Sequence, residues 1–200
     1  MARPRADRPA LIAKVAEVFR EHGYEGASLT AIEAATGLGK GSLYHFFPNG
    51  KEQMAAEVVA DISLWFEENL FTRLAVEDHE ASIGAMFDVV SDYFRSGRRV
   101  CLVGAMALSD GRDRFADLLR SYFARWVEAL TQALLSAGMS IEGAAALAEE
   151  IVQGLQGAIV LARALDETAV FERAVARYRA RTSSVVHAHL HHLPGTPIVQ

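Results

Sequence analysis

Apolar residues return every three or four positions through most of this chain, and no long run alternates with period two. That periodicity predicts helices and no sheet, so the fold class is all-α. The first stripe, Leu11, Ile12, Val15, Ala16 and Phe19, is opened by Asp7 and Pro9 and closed by His22-Gly23. A long helix is expected from Lys51 to about Leu74, with Met54, Val58, Val59, Ile62, Trp65, Phe66 and Leu70 on one broad face. After the charged segment 76–79, Ile83, Phe87, Val90 and Phe94 mark a helix from about Glu80 to Arg95. The run from Cys101 to Leu108 is apolar on all sides and therefore expected to be buried. Further helices are expected over about Asp113 to Ala137, from the Ser140 cap to about Leu165, and over about Thr168 to His189.

One stretch departs from this pattern of long helices. Residues 28–51 read as two short helices around a glycine-bearing turn. Ser28 can cap the first, whose buried face would be Leu29, Ile32 and Ala35; Gly37 supplies the left-handed residue that ends it. The second opens at Gly39-Lys40-Gly41-Ser42, carries Leu43, Tyr44, Phe46 and Phe47, and stops at Pro48. Two short helices with such a turn match the helix-turn-helix, whose second helix enters the major groove of DNA. Small residues in the first turn of that helix let its backbone approach the duplex. Lys40, Ser42, Tyr44 and His45 offer groups for phosphates and base edges.

In their spacing, residues 8–55 resemble the DNA-binding domain of the TetR/AcrR family of bacterial transcription regulators. The residues that carry the resemblance are Gly23-Tyr24, Ser28, Ile32, Ala35, Gly37-Leu38, the run from Lys40 to Tyr44, Phe47 and Lys51-Glu52. It covers about a quarter of the chain; beyond it only length and helical character agree. Gly39 stands where a serine often caps the recognition helix, and Asn49-Gly50 makes the next link one residue longer than is commonest. The resemblance implies a three-helix DNA-binding domain over residues 1–50 and a larger helical ligand-binding and dimerisation domain over 51–190, with a flexible tail at 191–200. It implies a double-stranded DNA operator as partner and Ser28, Thr30, Lys40, Gly41, Ser42, Tyr44, His45 and Lys51 as the DNA-binding set. A homodimeric repressor, released by a small molecule, is the function it points to.

Charge at first argues against nucleic acid, because 25 acidic residues outweigh 20 basic ones. Its distribution reverses the argument: residues 1–51 hold 7 basic and 5 acidic residues, a net of +2 on an otherwise anionic chain. DNA responds to the local field. Arg3, Arg5 and Arg8 add a short basic arm, read equally as a phosphate contact or a solvated tail. The single cysteine excludes an internal disulfide. No signal-peptide core follows the basic start, and no uninterrupted apolar stretch reaches the ~20 residues a bilayer requires, so a cytoplasmic protein without a membrane partner is expected.

Two sites are expected in the larger part. Trp65, Phe87, Met106, Tyr122, Trp126, Gln153 and Gln156 form a set suited to a small, largely apolar or aromatic effector, although core packing explains each residue alone. The stretch Leu155 to Leu165 is apolar nearly all round, and Gly154, Gly157 and Ala158 permit close helix contact. With Leu161, Phe171 and Tyr178 these residues are expected at a homodimer interface, where the family also pairs.

No nucleophile elbow, zinc-protease motif, P-loop or dinucleotide fingerprint is present, so no enzyme, no cofactor and no metal site is expected. Cys101 sits among valines and leucine, which favours an inert thiol over a redox sensor. His187, His189, His191 and His192 have helical-turn spacing but no neighbouring carboxylate or thiol, which favours a solvated tail. The rival reading is a helical small-molecule-binding or redox-sensing protein whose DNA affinity is incidental.

Overall fold

The computed structural model describes residues 7–75 and 79–190, the last six of these as backbone only. Within them every regular element is a helix. In chain order these are α1 (Arg8–Gly26), α2 (Leu29–Thr36), α3 (Lys40–Phe46), α4 (Gly50–Phe66), a π-helical turn (Glu67–Phe71), α5 (Thr72–Leu74), α6 (His79–Tyr93), α7 (Leu102–Ala107), a 3-10 turn (Asp110–Phe115), α8 (Ala116–Ser136), α9 (Ile141–Ala164) and α10 (Thr168–Leu190). The all-α expectation holds, and the long helix foreseen from Lys51 to Leu74 exists with a π-helical turn inside it. Arg3, Arg5, the segment 76–78 and the tail from His191 lie outside the described residues, as do the side chains of His187 and His189.

The chain divides into two compact units. The first comprises Met1–Phe66 with Val100–Phe123, and the second Glu67–Arg99 with Ala124–Gln200. In the first, α1 packs against α2, α4 and α7. Its periodic stripe becomes the core: Leu11, Val15 and Phe19 are buried together with Ile32, Leu43, Phe47, Met54, Val58 and Ile62. Burying an aliphatic or aromatic side chain of this size contributes about 1.5–3 kcal/mol, so this stripe outweighs the modest propensity of the short helices α2 and α3. The end of α1 is bent at Gly23, whose φ of 70° takes the chain out of helical geometry before Tyr24 turns inward. Tyr24 then meets Phe115 edge to face at 5.1 Å.

In the second unit α10 lies along both α9 and α6. The contact with α9 is close because Gly154 leaves room for Tyr178; a methyl group at 154 would overlap the tyrosine hydroxyl. Arg179 pairs with Asp88, and Arg181 with Glu150, so α10 is also tied by charge to α6 and α9. Where the π-helical turn begins, Glu67 accepts two hydrogen bonds from Arg125, at 2.9 and 2.7 Å. Those bonds push the Arg125 pKa above its ordinary value against the opposing effect of burial.

By length and composition α9 is apolar enough to cross a membrane, with a mean hydropathy of 1.3. Part of that apolarity is spent inside the protein, where Leu147, Ala148, Ile151, Leu155 and Ile159 are buried. The run from Cys101 to Leu108 is also not uniformly buried. Leu102, Val103 and Met106 are, whereas Leu108 at the end of α7 is 89% exposed.

Candidate nucleic-acid interface

Two short helices, α2 and α3, carry the site. The Ser28 hydroxyl oxygen accepts from the Ala31 N–H at 3.1 Å and so starts α2. Gly37, at φ 72°, ends it, and its N–H donates to Glu33. The inward face differs from the one expected, since Ala35 is exposed and Thr36 is buried instead. Thr36 offsets its burial by donating to the Ile32 carbonyl at 2.6 Å and accepting from the Leu38 N–H at 3.3 Å. A period of 3.6 residues from Ile32 reaches Thr36 as readily as Ala35, and the hydroxyl's ability to bond its own helix was the signal overlooked.

Helix α3 is seven residues long, and Gly39 at its start provides no side-chain cap. Leu43 and, just past its end, Phe47 are fully buried and fix one side of it. The other side is open: Lys40, Gly41, Ser42, Tyr44 and His45 are exposed, as are Ser28 and Thr30 on α2. The structure therefore gathers seven of the eight expected DNA-binding residues on the outside of one turn. The ring of Tyr44 leans towards Gly50, where an added Cβ would lie 3.5 Å from its Cε1.

Lys51, the eighth, is held differently. Its ammonium donates to the Glu25 carbonyl at 3.2 Å and lies 4.8 Å from the centre of the Tyr24 ring. It thus caps the end of α1, where a cation meets unpaired carbonyls favourably. Arg8 also departs from the basic-arm reading. Its guanidinium donates to the Phe46 carbonyl at 3.0 Å and to both oxygens of Glu57 at 2.6 and 2.7 Å. Neither engagement could be read from spacing, because the partners are distant in sequence.

The larger-part sites are redistributed as well. Phe87, Met106, Tyr122 and Trp126 are buried, Trp65 is half-buried, and Gln153 is exposed with its Nε2 donating to Glu149 at 2.9 Å. Gln156 keeps a buried Nε2 without a hydrogen-bond partner. Of the residues expected at a dimer interface, Ala158, Phe171 and Tyr178 are buried within the chain, and Gly154 is occupied by Tyr178. Gly157 and Leu161 do face outward; a Cβ added at Gly157 would meet nothing within 4 Å. Cys101 is buried, and its sulfur accepts from the Gly104 N–H at 3.4 Å at the start of α7.

A capped short helix, a left-handed glycine and a second short helix with a polar outer face make the first unit's tip the head of a helix-turn-helix DNA-binding protein. Comparison with known proteins agrees along the chain. Residues 11–58 match the family described as bacterial regulatory proteins, tetR family, and residues 80–177 match the C-terminal domain of LmrA/YxaF-like transcriptional regulators. An HTH-type transcriptional regulator of Mycobacterium tuberculosis is 26% identical over 170 residues, spanning 78% of this chain and 84% of that one. The HTH-type transcriptional repressor AcnR of Corynebacterium glutamicum is 32% identical over 90 residues, 45% of this chain and 37% of AcnR. The crystal structure of a TetR transcriptional regulator from Legionella pneumophila superposes with a TM-score of 0.77 at 19% identity, covering 90% and 98% of the two chains. The chain belongs to the TetR family of bacterial transcription regulators and is a DNA-binding protein of the helix-turn-helix class.

Proposed function

We propose that this regulator is a homodimeric repressor that leaves its operator when a small molecule binds its larger part. The DNA side of the reading is carried by the exposed row of Ser28, Thr30, Lys40, Ser42, Tyr44 and His45 around the turn. Gly41 lets the α3 backbone approach, and Lys51 joins the set by exchanging the Glu25 carbonyl for a phosphate at the start of α4. Repression is suggested by the similarity to AcnR, itself a transcriptional repressor.

Pairing is supported by an apolar stripe that this chain leaves uncovered on α9. Val160 is 61% exposed, Leu161 53% and Leu165 62%, and the open Gly157 sits one turn before them. Two such stripes meeting about a two-fold axis would bury each other, with both heads presented to successive major grooves. Pairing also supplies affinity that one weakly cationic head lacks.

The effector reading draws on a cavity of about 240 Å³ in the second unit, lined by Phe71, Leu74, Ala129 and Ala133 on an apolar side and by His79 and Glu128 on a polar one. The buried Nδ1 of His79 has no hydrogen-bond partner. Buried polar atoms are usually satisfied, so an orphan at a cavity wall favours a ligand or water there. An effector can shift the protein off DNA only by the difference in its affinity for the two states.

The direct test is a gel shift with duplexes tiled across the DNA flanking the regulator's own gene, repeated after a thermal-shift screen of flat, apolar compounds. The proposal expects one retarded fragment that screening hits release. Retardation of every fragment alike, with no release by any stabilising compound, would overturn it in favour of incidental DNA affinity.

A further inference from the structure

We infer that Arg8 is a positioning residue for the recognition helix α3, through a side-chain buckle that joins the start of α1, the end of α3 and the middle of α4. Beyond the buried Leu43 and Phe47, helix α3 has little to hold it. It has only seven residues, its start carries no side-chain cap, and five of the seven are exposed. A helix this short is not stable on propensity, and its last carbonyls have no partner within the helix.

Arg8 supplies what is missing. Nη1 donates to the Phe46 carbonyl, Nη2 to both carboxylate oxygens of Glu57, and the guanidinium lies 5.0 Å from the centre of the Phe47 ring. The network continues past this pair. Gln53 donates through Nε2 to Glu57 at 2.9 Å, and its Oε1 accepts from the Asn49 N–H at 3.0 Å. Asn49 lies in the link between α3 and α4, so one chain of hydrogen bonds fastens both the last turn of α3 and the peptide that leaves it.

Magnitudes decide what this buckle does. The Arg8 and Glu57 side chains are 43% and 27% exposed, and ion pairs that wet contribute little to global stability. The planar guanidinium nevertheless fixes direction, because its donors bind only along a rigid fork. The consequence therefore falls on the orientation of α3, which matters for reading bases and hardly at all for holding phosphates.

The experiment uses the full-length protein, a duplex enriched by it from a random-sequence pool, and a scrambled duplex of equal length. Affinity is measured by fluorescence anisotropy across a salt series. Arg8→Ala is expected to weaken the enriched duplex about tenfold and the scrambled one less than about twofold, with the salt slope unchanged. Glu57→Gln should reproduce that loss, the double variant should add nothing to it, and Arg8→Lys should not restore it. Amide hydrogen exchange at Phe47, free of DNA, should quicken in each variant. A salt slope smaller by about 1 with equal loss on both duplexes would make Arg8 a phosphate contact and overturn the inference. So would unchanged binding in Glu57→Gln, or a drop in melting temperature that accounts for equal losses on both duplexes. A wild-type protein that enriches no duplex would count against operator recognition itself, a different failure.

Discussion

The Glu25 carboxylate accepts the Gly111 N–H at 2.9 Å, joining residues 86 positions apart. The same residue's carbonyl takes the Lys51 ammonium, so Glu25 is tied both to the 3-10 turn and to the start of α4. The absence of a side chain at 111 makes this possible, since a Cβ there would stand 2.8 Å from Glu25 Oε1 and 3.1 Å from the Tyr24 ring.

Gly111→Ala is accordingly expected to push the end of α1 away from the 3-10 turn. Overpacking of this kind costs about 1–3 kcal/mol, and part of it is relieved by movement of the Glu25 side chain. Chemical denaturation should register a loss near the lower bound, with faster amide exchange at Ala27. Unchanged stability and exchange would show that the turn yields freely.

Lys40→Ala and Tyr44→Ala should separate two kinds of contact. The lysine variant is expected to weaken binding to any duplex and to reduce the salt slope by about 1. The tyrosine variant should lose preference for the operator at a constant slope. Anisotropy titrations at several salt concentrations measure both, and identical behaviour of the two variants would refute the division.

On α9 two glycines three residues apart should respond in opposite ways. Gly157→Arg projects into open space, so the chain should stay folded while the dimer dissociates and operator affinity falls steeply. Gly154→Ala collides with Tyr178, so the chain itself should lose about 1–3 kcal/mol of stability despite alanine's better helix propensity. Sedimentation and thermal melting distinguish the outcomes; a dimeric Gly157→Arg would place the interface elsewhere.

Ala133→Leu should fill the cavity beside Phe71 and His79. Operator binding is expected to persist while release by a screened effector is lost. Retained release would mean that the effector sits in another part of the chain.

Periodicity, caps and turn residues announced the helices because each of these signals is local. A stripe at 3.6 residues, a serine before it and a glycine after it constrain the backbone wherever the rest of the chain lies. The head was legible for the same reason. Five of the residues proposed to meet DNA share one short helix, and Leu43 and Phe47 bury the side of it turned away from them. Tertiary structure decided which polar and apolar groups spend themselves internally. Sequence put Arg8 in a basic arm, but its donors are taken by Phe46 and Glu57, 38 and 49 positions away. Phe171 and Tyr178 looked like partner-facing residues, and α9 and α10 of one chain bury them first. Charge and hydrophobicity state that a group needs a partner; only three-dimensional proximity selects which partner, because competing contacts of similar energy are separated by distance alone.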